Sequence, residues 1–383
     1  MYAGATLHID SEAIAENTRS IAARTDAAVM AVVKADGFGH GDAALKALDH
    51  GATWLGVTSI DEALPFRWRG IDAPMLSWLN PVDADFASAI RHDIDLAVPS
   101  VAHLVAVRAA ARALGRPARV HLHLDTGMSR DGIETAEWTP LCDLARLGEA
   151  SGEVRVVGVM SHLARADEPG DPFTRRQSML FANAVRAARH RGLSPRLLHL
   201  AATAATLTDS TTHFGMVRVG AGLYGIDPSH TTALRGAMTL TAPVTAVRTV
   251  GAGTGVGYGQ TYTTDRRTRL ALLPIGYADG VPRRLDAGAG LRAGERASVL
   301  LNGRRVPIAG AVSMDQLVLD VGDLPVSSGD RATLFGAGDT GEPTLAEWAG
   351  WAGTIEHEIV TRIGPRVART TSLAGLATAA AAA

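Results

Sequence analysis

The sequence has little cysteine, little net charge and no long apolar run. Cys142 is its single cysteine, which excludes a disulfide framework and a CxxC metal site. The formal net charge is −2, whereas a nucleic-acid or acidic-membrane partner would call for a basic excess. No stretch of about 18 uncharged apolar residues predicts a membrane span. The N-terminal residues show neither a basic leader nor an apolar core, so we expect a cytoplasmic protein without a secretory signal.

The chain has 383 residues, enough for two domains, and its pattern changes near residue 235. Before that point, short apolar runs alternate with helical stretches rich in Ala, Arg and Leu, which is typical of βαβ units. The runs are apolar nearly throughout, as expected when helices cover a parallel sheet. We predict eight strands, at 27–34, 53–59, 73–79, 94–100, 118–126, 154–162, 196–203 and 216–224. This count predicts an α/β fold, a (β/α)8 barrel over residues 1–235, rather than a doubly wound open sheet.

Residues 236–383 have a different texture and predict a C-terminal, mostly-β domain. Short strand candidates are separated by turns, with little helical pattern between them. Asn302-Gly303 predicts a hairpin, because both residues readily adopt the positive φ values of a type I′ turn. The strand candidates are 244–250, 269–273, 298–308, 316–321 and 331–335.

The residues that close barrel strands at their C-terminal ends surround the active site in this architecture. Lys34 closes the first strand, inside AVVKADGFGHG. Burial depresses a lysine pKa, which suits a nucleophile or a base. The alternative is a lysine that caps the strand and reaches solvent.

The fifth strand ends in HLHLDTGMSR, where a period of two places His121, His123 and Asp125 on one face. An HxH pair at a barrel mouth is compatible with a metal-dependent hydrolase, and hydrogen-bonded core histidines are the plainer alternative. Arg130 follows in a glycine-containing turn that is placed for an anion. His162 closes the sixth strand, where a satisfied core histidine is again the alternative.

The eighth strand leads into RVGAGLYG, which fits the pattern GxGxxG. A dinucleotide site would need this motif in the first βα turn, with an acidic residue about 20 residues further on, and neither condition holds. Barrels often bind phosphate with the loops after strands seven and eight. Gly220 and Ala221, with Thr203 on strand seven, are therefore our candidate phosphate site. A lysine opposite a phosphate site is the layout that pyridoxal 5'-phosphate requires.

The β domain contributes two tyrosines in glycine-flanked loops, Tyr258 in GVGYGQTY and Tyr277 in PIGYADG. A tyrosine acts as an acid or base when neighbouring cations stabilise its phenolate. Met314 and Asp315 follow in AVSMDQ.

Together these motifs, in this order over essentially the whole chain, resemble the pyridoxal-phosphate-dependent alanine racemases. The resemblance implies a barrel plus a β domain, with residues 1–11 pairing with the β domain. It also implies a homodimer, each active site being completed by the β domain of the partner, and D-alanine synthesis for the cell wall. A racemase of serine or another small amino acid is the close alternative. A non-catalytic pyridoxal-phosphate carrier resembles the barrel alone, and the β domain speaks against it.

The resemblance assigns roles to single residues. Lys34 resembles the lysine that binds the cofactor covalently and acts as one base, and Tyr258 of the partner subunit resembles the second base, on the opposite face. Arg218 resembles the arginine facing the pyridine nitrogen, and His162 the residue between that arginine and the tyrosine. Arg130 resembles the group near the cofactor phenolic oxygen and the substrate carboxylate.

The remaining assignments concern the substrate and the phosphate. Met314, with Asp315 beside it, resembles the partner-chain contact to the substrate carboxylate, and Tyr277 an entrance residue. The phosphate end resembles a site formed by Phe38, Thr203, Gly220, Ala221 and His357.

Four positions depart from the family pattern. Phe38 and His357 stand where tyrosines are usual, Ala202-Thr203 where Asn-Ser is usual, and His123 where a lysine steadies Arg130. Each lost phosphate hydrogen bond costs about 0.5–1.5 kcal/mol, or more if charge-assisted, so we expect weaker retention of the cofactor.

Overall fold

The computed structural model describes residues 4–283, 285 and 296–372. Eight parallel strands form a closed barrel, which confirms the predicted fold class. The strands are β2 Ala28–Val32, β3 Ala52–Val57, β4 Met75–Ser77, β5 Ile94–Val98, β6 Ala118–His123, β7 Val154–Met160, β8 Leu197–Ala202 and β9 Met216–Val219; β1, Thr6–Ile9, lies outside the barrel. The last predicted strand is too long: the chain leaves β9 at Val219 and forms a 3-10 turn, Ala221–Tyr224.

Helices cover the barrel, and capping residues mark where they begin and end. Ser100 caps the helix Val101–Leu114 by accepting a hydrogen bond from the His103 amide, and Gly115 ends it with φ of 63°. The helical segments are α1 Ser11–Ala22, α2 Lys34–Phe38, α3 Ile60–Trp68, α4 Phe86–Arg91, α5 Val101–Leu114, α6 Trp138–Ala150, α7 Pro172–His190 and α8 Thr203–Thr208, with α9 Leu345–Ala352 and α10 Glu356–Thr361 after the barrel. No helix among the described residues is long and apolar enough to cross a membrane.

The C-terminal region is mostly β, as predicted. A six-stranded sheet has the order β16-β15-β18-β10-β1-β19, a three-stranded sheet the order β11-β14-β17, and β12 pairs with β13. The strands are β10 Met238–Pro243, β11 Ala246–Val250, β12 Gly255–Val256, β13 Tyr262–Thr263, β14 Thr268–Leu273, β15 Ser298–Leu301, β16 Arg304–Pro307, β17 Leu317–Asp320, β18 Arg331–Phe335 and β19 Ala368–Thr371.

Two details of this region bear on the sequence predictions. The Asn302-Gly303 hairpin joins β15 to β16, with φ of 48° and 75° at the two turn residues. The N-terminal strand β1 pairs antiparallel with β10 and parallel with β19, so the first and the last described strands both join this sheet. The division of roles at residue 235 stays a prediction.

The barrel interior has two kinds of content. Six buried apolar side chains from six strands form a cluster separate from the main core: Met30, Trp54, Leu76, Ala97, Met160 and Met216. Beside them, buried polar side chains cross the interior from β5, β6, β8 and β9. This polar content is unusual, because barrel interiors are mostly filled with branched apolar residues.

Candidate active site

Lys34 lies two residues beyond β2, at the start of a turn with left-handed backbone. The φ values are 53° at Ala35, 54° at Asp36, 58° at Gly37 and 55° at Phe38. The left-handed conformation costs roughly 1–2 kcal/mol for each non-glycine residue, so surrounding contacts must hold the turn in place. The prediction that Lys34 closes the strand is therefore wrong in detail, since the strand ends at Val32.

Two side chains, one outside the motif and one within it, hold this turn. The Glu62 carboxylate accepts hydrogen bonds from the Ala35 amide at 2.8 Å and from the Thr58 hydroxyl at 2.6 Å. The His40 ring lies 4.4 Å from the Tyr224 ring, and its Nδ1 lies 3.0 Å from the carbonyl oxygens of residues 37 and 38. Nδ1 must therefore carry the hydrogen of His40.

The Lys34 ammonium is half-buried, and its surroundings disfavour the charged form. Burial lowers the pKa of Lys34, and the positive charges of Arg130 and Arg218 lower it further, while Glu62 opposes them. Its Nζ lies 5.9 Å from the centroid of the Phe38 ring. These surroundings favour the nucleophile or base over a solvent-reaching cap.

Arg218 on β9 is buried and forms the densest hydrogen-bond centre of the site. Its Nη1 donates to the His199 carbonyl at 2.8 Å and lies 3.1 Å from His199 Nδ1. Its Nη2 donates to the carbonyls of Ser161 at 2.7 Å and Leu200 at 3.1 Å, and lies 3.1 Å from His162 Nδ1. Burial lowers the pKa of Arg218 to about 10, so the guanidinium stays charged at neutral pH. Its Nε–H has no hydrogen-bond partner among the described residues.

His162 is held as a neutral imidazole. Burial, the charge of Arg218 and that of Arg130 lower its pKa to about 3. Because Arg218 only donates, His162 Nδ1 must accept, and the hydrogen of the ring is on Nε2.

The proposed metal pair does not assemble. Both ring nitrogens of His121 are already used, Nε2 by Asp95 at 3.1 Å and Nδ1 by His199 at 2.8 Å. Asp125, expected on the same face, instead caps the following turn by accepting from the amides of residues 127, 128 and 129. His123 Nδ1 is buried without a hydrogen bond and lies 3.5 Å from Asp131. Within the described part of the chain, no three potential ligands cluster as a metal would require.

The candidate phosphate site is tightly packed. A Cβ at Gly220 would lie 2.9 Å from the Phe38 ring, so no side chain fits there. Ala221 and Thr203 are buried. The Thr203 hydroxyl accepts from the Gly222 amide at 3.1 Å, which leaves its own hydrogen free to donate.

His357 on α10 reaches the same place from the C-terminal region. Its ring centroid lies 6.0 Å from that of Phe38. Its Nδ1 is buried and has no hydrogen-bond partner among the described residues. Burial lowers the pKa of His357, with the charge of Lys34 contributing. Phe38 thus connects His357, the lysine and the Gly220 loop.

The β-domain candidates form a second group. Tyr258 is 74% exposed, Met314 53% and Tyr277 38%. The loops of Tyr277 and Met314 are joined by hydrogen bonds from the amides of residues 277 and 278 to the carbonyls of Ser313 at 3.0 Å and Met314 at 2.9 Å. Asp315 binds Arg366 at 2.7 Å. Among the described residues, no hydrogen bond or ion pair links Tyr258, Met314, Tyr277 or Asp315 to the barrel candidates.

Sequence reasoning missed Glu62, Asp95 and His199. The last two had a signal, since each is a polar residue inside an otherwise apolar strand, in IDLAV and LLHLAA. Glu62 had none, because it lies on a helix whose contact with the Lys34 turn is made only in the folded chain. Arg130 is exposed and has no ion-pair partner among the described residues.

Known proteins resemble this chain in sequence and in fold. Residues 9–228 match the family described as "Alanine racemase, N-terminal domain", and residues 237–371 match "Alanine racemase, C-terminal domain". An alanine racemase of Frankia casuarinae is 48% identical over 94% of each chain. The crystal structure of alanine racemase from D-cycloserine-producing Streptomyces lavendulae superposes with a TM-score of 0.92 at 42% identity, covering 97% of this chain and 98% of that one. A Bartonella henselae alanine racemase with covalently bound pyridoxal phosphate gives 0.85 at 27% identity, covering 97% and 100%. The chain belongs to the alanine racemase family.

Proposed function

We propose that this protein interconverts L- and D-alanine with pyridoxal 5'-phosphate as cofactor. The observation that carries the proposal is the arrangement at the barrel mouth, where Lys34 with its lowered pKa lies near a buried Arg218. The family match supports alanine, and neither the serine alternative nor the metal-dependent hydrolase is favoured by the relatives. The protein would act in the cytoplasm, supplying D-alanine for the cell wall.

The residues present fit the cofactor chemically. Lys34 would bind its aldehyde, the free Nε–H of Arg218 would face its ring nitrogen, and Arg130 would lie near its phenolic oxygen. At the phosphate end, the spare hydroxyl hydrogen of Thr203 and the unpartnered ring nitrogen of His357 supply polar groups. The amides of Gly220 and Ala221 add backbone donors, and Phe38 packs against this loop. Bound pyridoxal phosphate acidifies the α-proton of an attached amino acid by withdrawing electrons.

The protein contributes charge control and proton transfer. Arg218 would hold a permanent cation against the ring nitrogen of the cofactor and cannot readily give up a proton, which would keep that nitrogen unprotonated and restrain side reactions. Lys34 can take or return a proton on one face of Cα, and its lowered pKa makes loss of the ammonium proton easier. Racemisation requires a second group on the opposite face.

We assign that second group to Tyr258 of a partner subunit, in a homodimer with shared sites. The exposure of Tyr258 and Met314 supports a role outside their own barrel. His162, whose Nε2–H points away from Arg218, would hydrogen-bond this tyrosine. Met314 and Asp315 would lie near the substrate carboxylate, together with Arg130, and Tyr277 would line the entrance.

The lysine assignment has a sharp chemical test, because Lys34 and Lys46 are the only lysines in the chain. Borohydride reduction in the presence of pyridoxal phosphate should mark Lys34 in peptide mass spectrometry. Lys34→Ala should abolish both the cofactor absorption band and racemisation, whereas Lys46→Ala should keep both. Modification at Lys46 alone, or a protein that does not take up the cofactor, would refute the proposal.

The shared site is tested by mixing two inactive variants. Lys34→Ala and Tyr258→Ala chains, unfolded and refolded together, should regain partial activity, since each mixed dimer contains one site with both groups intact. No recovery in a mixture proven to contain mixed dimers contradicts the sharing. In addition, Tyr258→Phe should slow proton removal from one antipode of alanine far more than from the other.

A further inference from the structure

A chain of hydrogen bonds crosses the barrel interior from its N-terminal end to the active site. Arg119 donates to Asp95 through Nε at 2.6 Å and Nη2 at 3.1 Å. Asp95 Oδ2 lies 3.1 Å from His121 Nε2, and His121 Nδ1 lies 2.8 Å from His199 Nε2. His199 Nδ1 lies 3.1 Å from Arg218 Nη1. The chain therefore joins a surface arginine to the buried arginine of the active site.

The inner members of this chain are sealed from solvent. Asp95 is 2% exposed, His121 and His199 are fully buried, and Arg218 is 5% exposed. Buried polar groups are costly unless every donor has an acceptor, so such a network is stable only when it is fully satisfied. Space is kept for it on β7, because a Cβ at Gly158 would lie 2.3 Å from His121 Nδ1.

The carboxylate at one end of this series of hydrogen bonds and the guanidinium at the other determine which ring nitrogens donate and which accept. An ionised carboxylate only accepts, so His121 must carry its hydrogen on Nε2 and present a bare Nδ1. His199 must then donate from Nε2 and accept at Nδ1, where Arg218, which only donates, supplies a hydrogen. The reverse arrangement would place an N–H of His199 against an N–H of Arg218.

We propose that Asp95, held by Arg119, is a positioning residue for the racemisation. Asp95 fixes His121 and His199 in the tautomer with hydrogen on Nε2. In this tautomer His199 accepts from Nη1 of Arg218, which keeps the Arg218 Nε–H directed to the cofactor site. The inference rests on the proposed function in one respect, the role of Arg218 toward the cofactor. The direction of the hydrogen bonds is a property of the cofactor-free protein.

The charges around Asp95 are consistent with an ionised anchor. Burial opposes ionisation, but the hydrogen bonds donated by His121 and Arg119 and the charge of Arg119 outweigh it and hold the pKa of Asp95 below its ordinary value. Arg67 on α3 is a further cation near this carboxylate. Burial, and the charge of Arg218, lower the pKa of His199 well below its ordinary value, so this ring stays neutral.

The direct test is ¹⁵N NMR of the imidazole rings in cofactor-free protein, with signals assigned by single histidine substitutions. We expect His121 and His199 both to be protonated on Nε2. Asp95→Leu removes the acceptor, so the signals of His199 or of the Arg218 guanidinium should change. Asp95→Asn can still present an oxygen to His121 and should keep the Nε2–H forms, but its NH2 group then displaces Arg119, which has only donors. Wild-type protein with His199 protonated on Nδ1, or Asp95→Leu with unchanged ring and guanidinium signals, overturns the proposal.

A second variant tests the anchor without touching the histidines. Arg119→Met should raise the pKa of Asp95, so that the Nε2–H signals are lost at a higher pH during acid titration than in the wild type. Arg116→Met is the matched control. Arg116 pairs with exposed Asp93 at the same end of the barrel and takes no part in the hydrogen bonds from Arg119 to Arg218. Equal midpoints in the two variants overturn the role of Arg119 and Asp95, even if Asp95→Leu does not fold.

Kinetics of the loaded enzyme then connect the chain to the reaction. We expect Asp95→Leu to lower kcat by about 10- to 100-fold. Removing the residue that hydrogen-bonds to a metal-bound histidine has an effect of this size. KM should stay close to that of the wild type, because Asp95 does not touch the substrate. An inactive wild-type protein would refute the proposed function, yet the NMR result would still stand. Full kcat in a variant with altered tautomers would overturn the positioning role.

Discussion

Replacing Arg218 with lysine keeps the charge but cannot keep all of the hydrogen bonds at the centre of the site. The guanidinium faces five acceptors: three carbonyl oxygens and one ring nitrogen on each of two histidines. Nη1 and Nη2 bring four hydrogens to these five acceptors, whereas an ammonium brings three on one nitrogen, so at least one buried acceptor loses its hydrogen. Each such loss costs about 1–3 kcal/mol, so we expect the free energy of unfolding to fall by at least about that amount.

Urea unfolding of the cofactor-free variant, followed by circular dichroism, measures this loss. Arg130→Lys is the matched control, since Arg130 lies at the same barrel mouth but is exposed and has no ion-pair partner among the described residues. A surface change of this kind shifts stability by less than about 0.5 kcal/mol. A free energy of unfolding for Arg218→Lys within about 0.5 kcal/mol of the wild-type value would refute the argument from the five contacts. An Arg218→Lys variant no less stable than Arg130→Lys would refute it as well.

Two further predictions concern residues around the site. Gly158→Ala should lower the unfolding free energy by about 1–3 kcal/mol, because its Cβ would collide with His121, whereas Gly251→Ala, which meets nothing within 4 Å, should leave urea unfolding nearly unchanged. Equal unfolding curves for the two variants would contradict the packing argument. Glu62→Gln should shift the pH midpoint of Lys34 acetylation in cofactor-free protein to a lower value, because the Glu62 charge raises the pKa of that lysine. A midpoint that moves upward would show that Glu62 does not act through its charge.

Much of the architecture could be predicted from local pattern. Apolar runs alternating with helical stretches specify parallel strands covered by helices, and all eight barrel strands were located, with errors mainly at their ends. The largest of these errors is at the last strand, where β9 stops at Val219 and a 3-10 turn follows. Strand ends are hard to predict because a turn competes with continued extension through contacts that only the neighbouring strands provide.

The candidate site was predictable where a motif is short and continuous. Lys34, Arg130 and the Gly220 loop were singled out because each sits in a recognisable segment after a strand, and Arg218 because its segment resembles the family pattern. The HxH pair was a poor guide to a metal site. The two-residue period of a strand places His121 and His123 on one face but does not predict their hydrogen-bond partners. Asp95 and His199, which occupy the two nitrogens of His121, are distant in sequence.

The sequence by itself determined the kind of fold, the order of the elements and the segments that carry the candidate residues, because these follow from periodicity and turn chemistry over a few neighbours. Only the tertiary structure decided which of those residues are charged, neutral or committed to a partner. The lowered pKa of Lys34, the neutral His162 and the directed chain from Arg119 to Arg218 all arise from burial and from groups on other strands. A buried proton is placed by what surrounds it in space, and closing the barrel creates those surroundings.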